Sequence, residues 1–233
     1  MTPHDDAVAG RLATLIEDGT IPRAENPQRE HPFRPATWRP RFVGVAAANS
    51  VLDDFATDAT SNGGQITRKN LVELSRACDS GDQDDLVRLF VATMLWGSGT
   101  SNGRGPRCTE AALKEGSGLM ASLARTRELV LSGDPGEAYV SFRSTGVGPA
   151  FYTKWFWAVG LNRDLSPTPL ILDARVWASL GALDWDSRES AGSRRWKHRY
   201  PAYLAAMEGC ASNLPDVNDA EHLEQMLFQW AGG

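Results

Sequence analysis

Cysteine is scarce in this chain and scattered. Cys78, Cys108 and Cys210 are widely separated and odd in number, so neither a disulfide framework nor a four-cysteine iron–sulfur site can be assembled from them. Histidine is thin too, and His198 has no second histidine or cysteine at metal-site spacing, which leaves no zinc motif. No apolar run approaches the roughly 18 residues that a membrane span requires. The N-terminus, with His4, Asp5 and Asp6, lacks the positive start and apolar segment of a signal peptide, and a cytoplasmic protein is expected. Convincing apolar–polar alternation is absent as well, as are internal repeats and low-complexity segments, so the fold class expected is all-α.

What is present is ordinary for a soluble globular chain. At 233 residues, with 42% hydrophobic and 23% charged side chains, it can bury a full core as one unit over 1–233 or as lobes around a cleft. The net charge of −5 counts against a polyanionic partner only if the charges are evenly spread, and they are not. From Thr100 to Arg163 eight basic side chains face five acidic ones. The acidity gathers in the first hundred residues, where Asp82, Asp84 and Asp85 precede Leu86 as helix N-terminal charges do.

Helices read well over about Asp6–Glu17, Ala47–Phe55, Thr67–Cys78 with Thr67 as N-cap, and Gln83–Trp96. Further helices are expected over Thr109–Gly116, Leu119–Leu131, Pro135–Phe142, Ala174–Leu183, Tyr203–Ser212 and Ala220–Trp230. Five prolines between Pro22 and Pro40 predict an extended surface run there, within an N-terminal segment, 1–46, that is partly irregular. The basic cluster Arg194–Tyr200 reads as a solvated turn, the alternative being contact with phosphates. Between Gly97 and Pro106 the run Gly-Ser-Gly-Thr-Ser-Asn-Gly-Arg-Gly-Pro must leave the helix.

The most informative stretch is Thr145 to Trp177. Thr-Gly-Val-Gly-Pro at 145–149 opens a helix, and Leu-Ile-Leu-Asp-Ala-Arg-Val-Trp at 170–177 delivers one carboxylate, Asp173. Gly146 and Gly148 suit a tight hairpin between helices, Pro149 suits a first helical turn, and free N–H groups at that helix start can hold a phosphate oxygen. Asp173 suits a helix N-cap, which by itself would explain an Asp at this position. This order of parts resembles the helix-hairpin-helix DNA glycosylases, and within them bacterial proteins of the 8-oxoguanine DNA glycosylase fold. The similarity covers about 89–180, with the hairpin at 145–149.

The resemblance implies a glycosylase that flips a modified base out of double-stranded DNA and cleaves its N-glycosidic bond, in base excision repair or in defence against phage DNA carrying bulky modified bases. Asp173 would be the catalytic carboxylate. Lys154 would be the amine of an AP-lyase step, although the family lysine falls at the position of Ala150, and Lys154 lies one turn deeper on the same helical face. A lysine leans back toward its helix N-terminus and could still reach the pocket; the alternative is a side chain snorkelling between Trp155 and Trp157. Thr145, Gly146, Val147 and Gly148 would contact DNA, as would Asn102 and Arg104 in a loop that enters the duplex. Phe151, Trp155 and Trp177 would line the base pocket. No cofactor is required and no iron–sulfur cluster is expected, although a monovalent cation can sit at such a hairpin; a monomer away from membranes is expected. The rival from another class is a non-catalytic helix-hairpin-helix DNA-binding protein in which Asp173 only caps a helix.

Overall fold

The computed structural model describes residues 3–23, 31–57, 63–98 and 103–231. Among them the chain is mostly helical, with one two-stranded antiparallel ribbon, as the all-α expectation requires. In chain order the elements are α1 (Pro3–Glu17), β1 (His31–Phe33), α2 (Pro35–Trp38), α3 (Ala46–Asp54), β2 (Gly64–Ile66), α4 (Arg68–Ala77), α5 (Gln83–Gly97), α6 (Gly105–Leu113) and α7 (Ser117–Leu131). They continue with α8 (Pro135–Ser141), α9 (Pro149–Gly160), α10 (Ala174–Ala182), α11 (Ser187–Ala191), α12 (Trp196–Ser212) and α13 (Ala220–Trp230).

Two long helices organise the packing. From Leu86 to Trp96 every residue of α5 except Arg88 is buried, and Arg88 turns out to Asp54 at 2.7 Å, as expected of a helix that is apolar on nearly every side. It is packed by α3, α4, α6, α7 and α9. Its start is fixed by Asp82, whose carboxylate accepts the Asp84 N–H at 2.7 Å, so the acidic residues before Leu86 do act as helix-terminal groups. α12 is the second organiser, packed by α1, α8, α11 and α13. Asp79 joins distant parts of the first group by accepting from both Arg127 and Arg163, which neutralises part of the basic surplus seen in the sequence.

Two local expectations are corrected. The stretch after Pro22 is not simply a surface run, because its described part buries Phe33 and Trp38 at 3% and 0% exposure. β1 pairs with β2, setting His31 opposite Ile66 and Phe33 opposite Gly64. Strands of three residues are too short to show alternation, and a side chain at Gly64 would collide with the Phe33 ring. The basic cluster at 194–200 is likewise not a turn, since α12 begins at Trp196 and runs through Pro201. Burial of Tyr200, Tyr203, Leu204 and Met207 outweighs the helix-breaking tendency of proline here.

Pro201 has no N–H for the Lys197 carbonyl, and Gly136 of α8 comes up against that oxygen. A Cβ built on Gly136 would lie 2.2 Å from Lys197 O. Gly136→Ala is therefore expected to push α8 off α12 and to cost about 1–3 kcal/mol of stability, measurable as a lower urea midpoint; an unchanged midpoint would show that the two helices part freely.

Candidate active site

Residues 170–172 run extended and buried between α9 and α12, outside any sheet, and buried peptide groups there must find partners. They find side chains. Tyr200 Oη donates to Leu170 O at 2.7 Å and Tyr203 Oη donates to Ile171 O at 2.8 Å. Thr153 Oγ1 accepts the Leu172 N–H at 3.1 Å while donating to Pro149 O. Burial holds both tyrosine hydroxyls well above their usual titration range, so they stay donors. The clamp ends at Asp173, whose Oδ1 accepts the N–H groups of Arg175 and Val176 at 3.0 and 3.1 Å and caps α10.

Oδ2 of Asp173 faces the other way, toward Lys154. Lys154 Nζ lies 3.5 Å from it, and the two side chains keep only 10% and 12% exposure. The amine reaches that point by leaning back along α9, donating to Ala150 O at 3.0 Å, which is the direction helical side chains take. Ala150 holds the position at which a lysine is expected by resemblance, so the ammonium of Lys154 returns to that level of the helix. Space for its stem depends on Gly97 at the end of α5, where a Cβ would sit 2.6 Å from Lys154 Cδ. Capping and ion pairing are thus divided between the two oxygens of one carboxylate.

The turn between α8 and α9 lies upstream of this pair. Gly146 takes φ +77°, a conformation that favours glycine, and its Cβ position is 3.4 Å from Cys108 Cα of α6. Gly148 differs from expectation: its backbone is extended and an added Cβ would meet nothing within 4 Å. Val147 is buried beneath the turn, and the Thr145 N–H is taken by the Glu115 carboxylate, a bond that holds Glu115 below its usual carboxyl value. Arg104 and Arg107 are exposed at the start of α6, the helix that backs the turn.

With this geometry in view, residues 25–228 match the family described as "Putative 8-oxoguanine DNA glycosylase OGG-like protein". The chain belongs to this family. No curated protein and no solved structure matches it.

In this OGG-like protein the residues expected at the site fall into three groups. Asp173 and Lys154 are brought together, with Phe151 beside them, its ring 6.0 Å from Lys154 Nζ. Trp177 stands one turn into α10, 36% exposed, with its ring against Trp185 and Trp196 and the Arg199 guanidinium nearby. Trp155 is different: it is wholly buried, donates from Nε1 to Thr126 Oγ1 at 3.1 Å and meets Phe90 edge-on. It faces the core toward α7, so the structure does not bring it to the pair. Asn102 lies outside the described residues.

Other groups crowd the Lys154 side of the pair, and of these only Trp157 stands out in the sequence. His31 of β1 meets Trp96 edge-on at 5.1 Å, and Trp96 stacks on Trp157 at 4.6 Å. Burial, with the Lys154 charge adding to it, holds His31 below the usual imidazole value, so it is neutral at pH 7. Arg68 covers Trp157 and grips Glu221 of α13 with both arms of its guanidinium. One turn on, Glu224 is 2% exposed. The signal for it is Ala220, Leu223, Glu224 and Leu227, a carboxyl in the apolar i, i+3, i+4, i+7 stripe of a helix.

The two hairpin glycines are expected to separate on substitution. Gly146→Ala should cost about 1–2 kcal/mol because it forces a side chain into positive φ against Cys108. Gly148→Ala should stay within about 0.5 kcal/mol. Thermal melts of both variants check this, and equal effects would mean that the backbone assigned to the turn is not the one in solution.

Proposed function

We propose that this protein binds duplex DNA, extrudes a modified purine of the 8-oxoguanine kind and cleaves its N-glycosidic bond at Asp173. The observation that carries this reading is the divided carboxylate: Oδ1 fixed on the α10 N-terminus and Oδ2 left facing Lys154 in a nearly closed site. As the bond from C1′ to the base breaks, positive charge develops on the deoxyribose. A preorganised carboxylate in a poorly solvated site lowers that barrier far more than one in water could. The glycosylase description of the family supports the same chemistry.

The α8–turn–α9 unit serves as a helix-hairpin-helix in this proposal. The free end of α9 and the N-terminal arginines of α6 meet the phosphates beside the extruded nucleotide, and aromatic side chains near the pair receive the base. Lys154, held beside Asp173 and bonded to Ala150 O, favours water as the nucleophile, with the ammonium positioning the carboxylate. The second reading is that Lys154 itself attacks C1′, which its 3.5 Å approach to Asp173 makes sterically reasonable.

Base release from duplexes carrying oxidised, alkylated, deaminated and bulky modified bases tests the proposal. Asp173→Asn is expected to lower release on the active duplex by at least about 100-fold with DNA affinity kept, because an amide retains the shape and much of the cap. Retained release would remove Asp173 from the chemistry, and a non-catalytic DNA-binding role would then stand. Gly148→Val, at a position where an added Cβ meets nothing within 4 Å, is expected to keep the fold and weaken binding to DNA of any sequence. Borohydride trapping separates the two nucleophiles: with water no covalent adduct forms, whereas an adduct lost in Lys154→Gln assigns the attack to Lys154.

A further inference from the structure

The carboxyl of Glu224 is a buried ionisable group that the chemistry above leaves unused. Its Oε2 has no hydrogen-bond partner and no solvent exposure, a costly state for a carboxylate. α13, which carries it, packs against α10, the helix that Asp173 caps. The Glu224 carboxyl feels the charges of Asp173, Lys154 and Glu221, the last of these spent on Arg68; Tyr203 and Tyr200 of α12 feel it in turn. Trp96 and Trp157 also carry buried indole N–H groups without partners. Trp157 lies one turn beyond Lys154, and Trp96 precedes Gly97, which touches the Lys154 stem. Three buried polar groups without hydrogen-bond partners thus sit on α5, α9 and α13.

We propose that Glu224, buried with one carboxyl oxygen unpartnered, is the general acid of the site and protonates the departing base; this rests on the glycosylase reading. Two carboxyls in unlike surroundings divide the work, one capping α10 and paired with Lys154, the other shut away from water with an oxygen unpartnered. The C1′–N bond breaks with its electron pair going to the base, and the Glu224 proton moves to the base ring. A water adds to C1′ and returns its proton to the Glu224 carboxylate, which the Lys154 ammonium steadies in the interval. Burial first, and the Asp173 charge second, hold Glu224 well above the usual carboxyl range, with Lys154 opposing.

The sign of this shift makes Glu224→Gln a usable probe. A raised carboxyl value stabilises the fold at low pH and is lost as pH rises through it, so the amide variant is expected to be at least as stable as the parent at neutral pH. Infrared difference spectra of parent minus Glu224→Gln at neutral pH should show a carboxylic acid band; a carboxylate band there overturns the proposal. On a duplex whose leaving base is neutral, Glu224→Gln should slow release by about 100-fold. On a duplex carrying an N7-alkylated purine, already positive and in no need of a proton, release should change by less than about threefold. The parent's rate on the neutral base should fall on the alkaline side, a measurement that needs no variant, and a flat profile there overturns the proposal. Equal effects of Glu224→Gln on the two bases, or none on either, also overturn it while leaving the excision reading intact. No release of any base by the parent overturns both.

Discussion

Buried peptide groups that belong to no helix or sheet have to be satisfied by side chains, and the segment 170–172 is where this chain meets that demand. Thr153 from α9 and the hydroxyls of Tyr200 and Tyr203 from α12 supply the bonds. Those helices belong to different parts of the packing, α9 against α5 and α12 against α8 and α13, so the segment joins the two. The position of Asp173 follows from that junction together with its own cap on α10 and its pairing with Lys154. A change at Tyr203 would act on the carboxylate through the backbone, without touching it.

Electrostatics follow from the same placement. The ion pair of Lys154 and Asp173 is nearly enclosed, where water screens it little and each lost partner would leave a charge stranded. Burial keeps nearby groups neutral: it holds His31 below its usual value and the two tyrosines and Glu224 above theirs. A nearly enclosed pair beside neutral hydrogen-bonding groups is an arrangement that can respond to a charge developing on a substrate.

Much of this could be read from the amino acids, and the parts that could not have physical causes. Helices with a clear apolar stripe and a cap, such as α4 with Thr67 and α10 with Asp173, were legible because the signals are local. The early start of α12 and the burial of Phe33 and Trp38 were not, because proline spoke for a break and only tertiary packing overrode it. Asp173 and Lys154 were legible through the order of hairpin, helix and loop. That both would reach the same point needed the lean of a side chain along α9. Glu224 shows in the sequence only as a carboxyl in the apolar stripe of α13, which gives its burial but not its neighbours, and Trp155 misled because an aromatic in a helix apolar all round gives no sign of which way it faces.

The contact between Gly146 and Cys108 gives the hairpin a reporter of its own. Burial pushes the thiols of Cys78 and Cys210 up to about 11, which leaves little thiolate to react at neutral pH. Cys108 is the partly exposed one of the three, and it lies against the back of the turn. A thiol-directed fluorophore or spin label would therefore gather beneath the α8–α9 turn in the native chain, where seating of the turn on a ligand can be followed without engineering a new cysteine.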